Sequence, residues 1–210
     1  MEQNSLLVTR PNYDITTRII SAFAEEVLEF ANSKGTKVFD LANTDANKAK
    51  FESMIKKHNP RMVFINGHGS ETLVTGQDQE VLLEVGINEG IMKDKIIYAL
   101  SCRAASILGP ESVKAGAKAY IGYKDDFIFQ YSVEKMSRPK EDKTAAIFIK
   151  PSNQIVISLL KGHTAMEAKE NGREYIIRNI KELISSKTPQ ESSVTLRYLV
   201  WNLQNLVCHK

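Results

Sequence analysis

The stretch that decides the fold is residues 61–70, RMVFINGHGS. Four consecutive apolar residues, from Met62 to Ile65, lead into two glycines that flank His68. A short, continuous apolar run that ends in glycines is typical of a buried strand leaving a sheet. The pattern predicts a strand over residues 62–66. It also raises the question of whether His68 serves a turn or a chemical reaction.

On both sides of this strand, apolar runs alternate with stretches of helical periodicity. The predicted strands are residues 5–9, 36–41, 62–66, 95–100 and 117–123. The helices predicted between them end near Gly35, cover residues 45–57 with Thr44 or Asp45 as the N-cap, and cover residues 106–115. Repeated β-then-α units with nearly continuous apolar strands predict an α/β fold, a three-layer α/β/α sandwich around a mainly parallel central sheet.

Two stretches interrupt this alternation. Residues 71–90 predict a small hairpin, and the charged residues 124–143 predict a surface loop or a lid. From about Pro151 onward the pattern is helical. The helices expected there are residues 151–160, 164–184 and 194–207. We expect residues 1–210 to form a single domain, with these C-terminal helices packed on it.

The composition disfavours several classes of protein. The chain has 210 residues, and its 28 Lys and Arg against 25 Asp and Glu give a net charge of only +3, with the basic residues scattered among acids. This argues against nucleic acid as the main partner. No apolar run approaches the roughly 20 residues that span a bilayer, and the first residues lack a signal-peptide pattern. We therefore expect a cytoplasmic protein without a membrane partner, in which Cys102 and Cys208 are free thiols.

Two residues with reactive side chains follow neighbouring predicted strands. His68 follows the third strand and Cys102 the fourth, so both open into one crevice if these strands are adjacent in a parallel sheet. An imidazole can take the proton of a thiol and later protonate the leaving group. A helix after Cys102 would favour the thiolate, and the amides of Gly69 and Cys102 can hold a developing oxyanion. The sequence therefore predicts a His–Cys dyad.

These residues also have other interpretations. A Gly-flanked His is often a turn residue, and a Cys at a strand end is often a small buried apolar residue. A phosphatase-type loop needs an Arg six positions after Cys102, where Leu108 stands, and a nucleophile elbow needs glycines around its Cys. The four His and two Cys are too widely spaced to predict a metal site, and no cofactor is expected.

Four motifs carry a resemblance to a known family. They are VFINGHGS at residues 63–70, IIYALSCRAASILGP at 96–110, SVKAGAKAYIGY at 112–123 and LLKGHTAMEAKENG at 159–172. In this order they resemble the caspase-like (clan CD) cysteine peptidases, which include gingipains, separase and CHAT domains. The resemblance is greatest to the CHAT and gingipain branches and covers about Leu6 to Gly172.

The resemblance implies a caspase-like fold and endopeptidase activity through an acyl-enzyme, without metal or cofactor. It implies that His68 is the general base and acid and that Cys102 is the nucleophile. The amides of Gly69 and Cys102 would be the oxyanion donors. The implied substrate is a protein or peptide, and a regulatory protein partner is a further expectation.

The resemblance also implies where the pocket for the P1 side chain lies. Such pockets are built from the loop after the first strand, the residue before the nucleophile and the strand after it. Here those positions hold Asp14, Ser101, Tyr123, Asp125 and Asp126. A carboxylate at the base of the pocket would select Arg or Lys at P1, with Asp14 as first candidate. The alternative is that Asp14 is the N-cap of the first helix and that Asp125 and Asp126 are solvated loop acids.

The sequence thus favours a cysteine endopeptidase, with cleavage after basic P1 residues as its finer form. Two alternatives stay open. One is a catalytically silent caspase-like scaffold that binds a partner protein or peptide. The other is a small-molecule phosphate site on residues 66–69, which lack a full Gly-rich phosphate fingerprint.

Overall fold

A computed structural model describes residues 5–186 and 189–210. Its strands are β1 (Ser5–Arg10), β2 (Lys37–Ala42), β3 (Met62–Asn66), β4 (Leu73–Thr75), β5 (Val81–Glu84), β6 (Ile96–Leu100), β7 (Ala119–Tyr123) and β8 (Leu206–His209). Its α-helices are α1 (Ile15–Ser33), α2 (Lys48–His58), α3 (Leu108–Lys114), α4 (Lys143–Leu160), α5 (Ala165–Ser186) and α6 (Pro189–Asn205).

Six strands form the central sheet, in the order β2-β1-β3-β6-β7-β8, and β4 and β5 form a separate antiparallel hairpin. The first five strands of that order run parallel, and β8 pairs antiparallel with β7. The parallel strands are the five apolar runs of the sequence. The predicted α/β architecture with a mainly parallel sheet is therefore confirmed, as is the hairpin.

Helices cover both faces of the sheet because alternate strand residues point to opposite sides. On one face, Leu6 and Val8 of β1 belong to an apolar cluster that includes residues of α1, α4, α5 and α6. On the other face, Leu7 packs with residues of α2, α3 and the hairpin. Burial on both faces explains why the strands are apolar almost without interruption.

The strand order places three loops side by side at one edge of the sheet. From β1 the chain moves outward to β2 and then returns to β3 on the other side of β1, so the order reverses between β1 and β3. In open parallel sheets such a switch point leaves a crevice at the carboxyl ends of the strands. Asp14 follows β1 and His68 follows β3, directly beside it. Cys102 follows β6, the next strand in the sheet.

The start of α2 differs from the prediction. Thr44 and Asp45, predicted as its N-cap, lie in a short 3₁₀ turn, and the N-cap is Asn47, whose side chain accepts a hydrogen bond from the backbone of Lys50. Asn, Asp, Ser and Thr are all good caps, so a run of such residues leaves the first turn ambiguous. The helix ends at His58, and Asn59 caps it in a left-handed conformation just before Pro60.

The helix predicted over residues 151–160 begins eight residues earlier, at Lys143, where the Asp142 carboxylate caps it. Pro151 therefore lies inside α4 and cannot donate the hydrogen bond that Ile147 oxygen would receive in a regular helix. The amide of Asn179, on α5, donates to that oxygen at 2.7 Å instead. A partner from a neighbouring helix thus makes the proline tolerable, which the local sequence does not reveal.

The C-terminal end of the chain also differs from the prediction. The last helix was predicted to continue to Val207, but α6 ends at Asn205 and residues 206–209 form β8. Leu206 is buried and fits the apolar periodicity of the helix, so the sequence pattern does not mark the change. Pairing with β7 covers the edge of the parallel sheet. In the part of the chain that the structure describes, no helix has the length and apolar character needed to cross a membrane.

Candidate active site

The loop after β3 is held close to its neighbours by two glycines. A Cβ atom on Gly67 would lie 2.0 Å from the carbonyl oxygen of Thr75, and one on Gly69 would lie 2.9 Å from that of Cys102. Neither position has room for a side chain. Between them, the backbone oxygen of His68 accepts a hydrogen bond from the Thr75 amide at 2.9 Å. The hairpin therefore fixes His68 against the Cys102 loop.

His68 is paired with a carboxylate. Its Nε2 lies 2.7 Å from Asp14 Oδ2, and the ring also meets Tyr13 edge-on with 6.1 Å between centroids. A carboxylate on Nε2 favours the tautomer with the proton on that nitrogen. Nδ1 is then left unprotonated and can accept a proton. About 40% of each of the two side chains is exposed, so the pair stands at the rim of the crevice.

Asp14 also begins α1. Its Oδ1 accepts hydrogen bonds from the backbone amide and the hydroxyl of Thr17, at 2.7 and 2.8 Å, and the Thr17 hydroxyl accepts one from the Asp14 amide in return. Partial burial raises the pKa of Asp14, but the bonds from Thr17 and His68 together outweigh it and lower this pKa below its ordinary value. Asp14 is therefore the N-cap of α1, as one of the two interpretations predicted, and it stays ionised beside His68.

Cys102 lies two residues beyond β6, in a tight turn. Arg103 has a left-handed backbone, and its amide donates to Asp125 oxygen at 3.1 Å. The helix expected to begin at residue 106 begins at Leu108, so its N-terminus does not lie at Cys102. The predicted stabilisation of the thiolate by that helix is therefore wrong.

The surroundings of the thiol favour its protonated form. Burial raises the pKa of Cys102 and the carboxylate of Asp126 adds to the rise, whereas a hydrogen bond with the Phe127 backbone and the charge of Arg103 lower it by less. The sulfur lies 3.9 Å from the carbonyl oxygen of Phe127, to which the thiol can donate a weak hydrogen bond. Ionisation of Cys102 is thus unfavourable unless a nearby base takes its proton.

His68 and Cys102 line the same small cavity, of about 30 Å³. This follows from the pairing of β3 with β6, in which Asn66 lies opposite Leu100, so the predicted adjacency of the two strands is confirmed. Within residues 5–186 and 189–210, no hydrogen bond joins the His68 ring to the Cys102 sulfur. The two groups face one space, as a dyad requires, without being in contact.

Hydrogen-bond donors are left open around the same space. Among the described residues, the backbone amides of Gly69 and Cys102 have no acceptor. The Ser101 hydroxyl, in the cavity wall, is buried and likewise lacks a partner in that part of the chain. Open donors beside a thiol are what a developing oxyanion requires.

The structure brings together some of the predicted site residues and separates others. His68, Cys102 and Ser101 line the cavity, Gly69 contacts the Cys102 backbone, and Asp14 holds His68. Three remaining residues do not line the cavity. The buried Tyr123 hydroxyl meets Ser152 Oγ at 3.1 Å, Asp126 pairs with Arg103, and Asp125 Oδ1 accepts from the Asp126 amide at 2.8 Å.

The sequence interpretation missed the apolar wall of the cavity. Thr16 and Ile20 of α1 contribute one side, and Phe127 and Phe129 contribute the other. The sequence FIFQY at residues 127–131 carried a signal, because aromatic residues at alternate positions are typical of an extended segment with one apolar face. No cluster of three or more His, Cys, Asp or Glu side chains suited to a metal occurs among the described residues.

Comparison with solved structures shows what this fold is similar to. Gingipain R, an Arg-specific cysteine proteinase, has a TM-score of 0.61 at 12% identity, over 98% of this chain and 45% of that one. The complex of the pro- and mature domains of RgpB from Porphyromonas gingivalis has a TM-score of 0.58 at 10% identity, over 98% of this chain and 46% of the other. The chain thus spans about half the length of these proteins.

At this identity the likeness shows the fold alone: the chain has the fold of gingipain R, as the resemblance implied. The particular likeness to CHAT domains stays a prediction. An inactive C11 protease zymogen from Parabacteroides distasonis also matches, with a TM-score of 0.44 at 10% identity, over 90% of this chain and 68% of that one. No protein-family model and no curated protein matches the sequence.

Proposed function

We propose that the chain is a cysteine endopeptidase in which Cys102 is the nucleophile, His68 the general base and acid, and Asp14 the residue that positions His68. One observation carries the proposal. At the switch point of the sheet, an imidazole whose Nε2 is held by a carboxylate at 2.7 Å shares a cavity with a half-buried thiol. A shared fold with known cysteine proteinases supports it.

The reaction runs through an acyl-enzyme. His68 Nδ1 takes the thiol proton as Cys102 Sγ bonds to the carbonyl carbon of the peptide. As the tetrahedral intermediate collapses, the C–N bond breaks and His68 returns that proton to the leaving amine. A water molecule then attacks the thioester carbon while His68 takes a proton from the water. The C–S bond breaks, and His68 returns the proton to the Cys102 sulfur. The imidazolium formed in each half-reaction is stabilised by ionised Asp14.

The unpaired backbone amides give the intermediate its oxyanion hole. The amides of Gly69 and Cys102 are free to donate when the carbonyl oxygen becomes charged. Gly69 suits this task because it has no side chain to obstruct the approaching carbonyl.

The proposal does not extend to a basic P1 preference. The Asp14 carboxylate already binds His68 and Thr17, and Asp126 already pairs with Arg103 at 3.0 Å. Arg specificity belongs to the similar proteinase, gingipain R, and is not transferred to this chain.

Labelling with peptide acyloxymethyl ketones tests the proposal, because these probes alkylate a catalytic thiol after peptide binding. The adduct is mapped by mass spectrometry in the unaltered chain, in Cys102→Ala and in His68→Ala, with Cys208→Ala as the matched control. We expect an adduct on Cys102 that disappears in His68→Ala and persists in Cys208→Ala. Labelling of Cys102 that does not depend on His68 would contradict the dyad.

A second candidate function is the catalytically silent scaffold. It is favoured by the small cavity, by the raised pKa of Cys102 and by the contact of its thiol with Phe127 oxygen. A scaffold binds its partner without using the thiol. If iodoacetamide modifies Cys102 while no peptide probe does, the scaffold replaces the peptidase as the better proposal.

A further inference from the structure

The cavity beside Cys102 has apolar walls and little room. Apart from Gly67, His68, Ser101 and Cys102, its walls are formed by five residues, four of them apolar. They are Thr16, Ile20, Leu100, Phe127 and Phe129. Its free volume of about 30 Å³ is enough for roughly two water molecules, so it has room for a small side chain only. A side chain entering from a substrate at Cys102 would meet mainly hydrocarbon. The two nearby carboxylates, Asp14 and Asp126, are outside the cavity lining and are already paired with His68 and Arg103.

On this basis, which rests on the proposed function, we propose that the enzyme selects a small apolar residue, Ala above all, at P1. A guanidinium or ammonium in this cavity would lose its water without gaining an ion pair, which is strongly unfavourable. A larger aliphatic side chain would have to displace its walls. The cavity therefore rejects charged P1 side chains most strongly and large aliphatic ones less strongly.

The size of the cavity is set by a braced wall. Phe127 and Phe129 flank Ile128, whose amide donates to Asn202 Oδ1 at 3.0 Å and whose oxygen accepts from Asn202 Nδ2 at 2.7 Å. Asn202 is buried in α6. The indole of Trp201, also in α6, donates to Asp126 oxygen at 2.9 Å.

Ring contacts continue the bracing into the sheet. Phe127 packs on Tyr123 of β7, with 4.8 Å between ring centroids, and Phe129 packs on Phe127 at 6.0 Å. Both phenylalanines lie against the apolar cluster under the sheet. The wall is thus tied to α6 on one side and to β7 on the other, so it cannot retreat for a large P1 residue without breaking these contacts.

The opposite wall offers a way to change the preference. Thr16 lies in the first turn of α1, where a carboxylate is favoured by the helix dipole. Thr16→Asp therefore adds an acid to the cavity at a position where a helix tolerates it. Phe129→Ala instead removes a ring and enlarges the cavity. The two variants address charge and size separately.

The test compares three acyloxymethyl ketones that differ only at P1, with Ala, Leu or Arg, by their second-order rates of labelling Cys102 in the full chain. We expect the Ala probe to exceed the Leu probe by at least about 10-fold and the Arg probe by about 100-fold or more, since one methylene too many changes discrimination by roughly 10–200-fold. Phe129→Ala should narrow or reverse the Ala-to-Leu ratio, and Thr16→Asp should raise the Arg rate.

The outcomes separate this inference from the proposed function. An Arg rate equal to or above the Ala rate in the unaltered chain, with labelling that still depends on His68, overturns the P1 inference and leaves the peptidase standing. Failure of all three probes, while iodoacetamide still reaches Cys102, overturns both.

Discussion

The two free cysteines occupy regions that look alike by burial and differ in what surrounds them. Cys102, beyond β6, and Cys208, on the edge strand β8, are both half-buried, and burial raises the pKa of each thiol. Cys102 shares a cavity with His68 and stands beside unpaired amides. His209, next to Cys208, has its Nε2 bonded to Ala105 oxygen at 2.8 Å. The comparison teaches that the groups around a thiol, more than its burial, mark a candidate nucleophile.

The largest expected difference between the two regions is in activity. Cys102→Ala should lower the rate of hydrolysis of a fluorogenic Ala-P1 peptide by about 10³-fold or more, because it removes the proposed nucleophilic atom. Cys208→Ala should leave the rate within about twofold. Comparable losses of activity in the two variants would show that the groups around Cys102 do not make it the nucleophile.

A second test concerns the carboxylate of Asp14, which binds His68 beside Cys102. Asp14→Asn keeps a good N-cap on α1 but replaces the carboxylate beside His68. We expect its kcat to fall by about 10²–10⁴-fold while its Tm stays within a few degrees, because an amide neither fixes the tautomer nor stabilises the imidazolium. Asp14→Ala should lose the same activity and, in addition, about 1 kcal/mol of stability.

For this second test, kcat and the free energy of unfolding are measured on the same preparations. The interpretation fails if Asp14→Asn retains most of its activity while Asp14→Ala loses it, since the carboxylate would then act only through the helix.

A third test extends the comparison to the backbone. Gly67→Ala places a Cβ atom 2.0 Å from Thr75 oxygen, so the loop that carries His68 must shift. We expect a loss of about 1–3 kcal/mol in the free energy of unfolding, typical of overpacking. Gly90 has no atom within 4 Å of an added Cβ, and Gly90→Ala should change stability by less than about 0.5 kcal/mol. Urea unfolding of the two variants measures the difference, and equal stabilities would refute the close approach.

The smallest expected effect concerns pH, and here the two cysteines should behave alike. Folding raises the pKa of each thiol above 9.0. Because the folded state favours the protonated thiol, each thiol contributes to the free energy of unfolding. That contribution is complete below the pKa of the thiol in the unfolded chain and is lost as pH rises through its pKa in the folded chain. In single-cysteine variants, iodoacetamide should therefore modify each folded thiol more slowly than the urea-unfolded one at pH 8. If Cys102 reacted faster in the folded chain than in the unfolded one, its thiolate would be stabilised by a group other than those described around it.

Sequence patterns predicted the parallel strands and the neighbouring positions of His68 and Cys102, because burial on both faces leaves a continuous apolar run that needs no tertiary information. They did not predict the partner of His68. Asp14 lies 54 positions away, and a capping Asp looks the same whether or not its second oxygen has a partner. The prediction that a helix starts at Pro151 was wrong for a similar reason. The backbone hydrogen bond that Pro151 cannot make to Ile147 oxygen is replaced by one from Asn179, which lies in another helix.

The double role of Asp14 ties the reaction to the end of a helix. Terminal turns fray at a lower free-energy cost than global unfolding. Once the first turn of α1 opens, the carboxylate that caps it leaves His68 as well. Heating should then abolish the proposed activity through a local and reversible opening, at temperatures where the sheet and its helical layers are still intact.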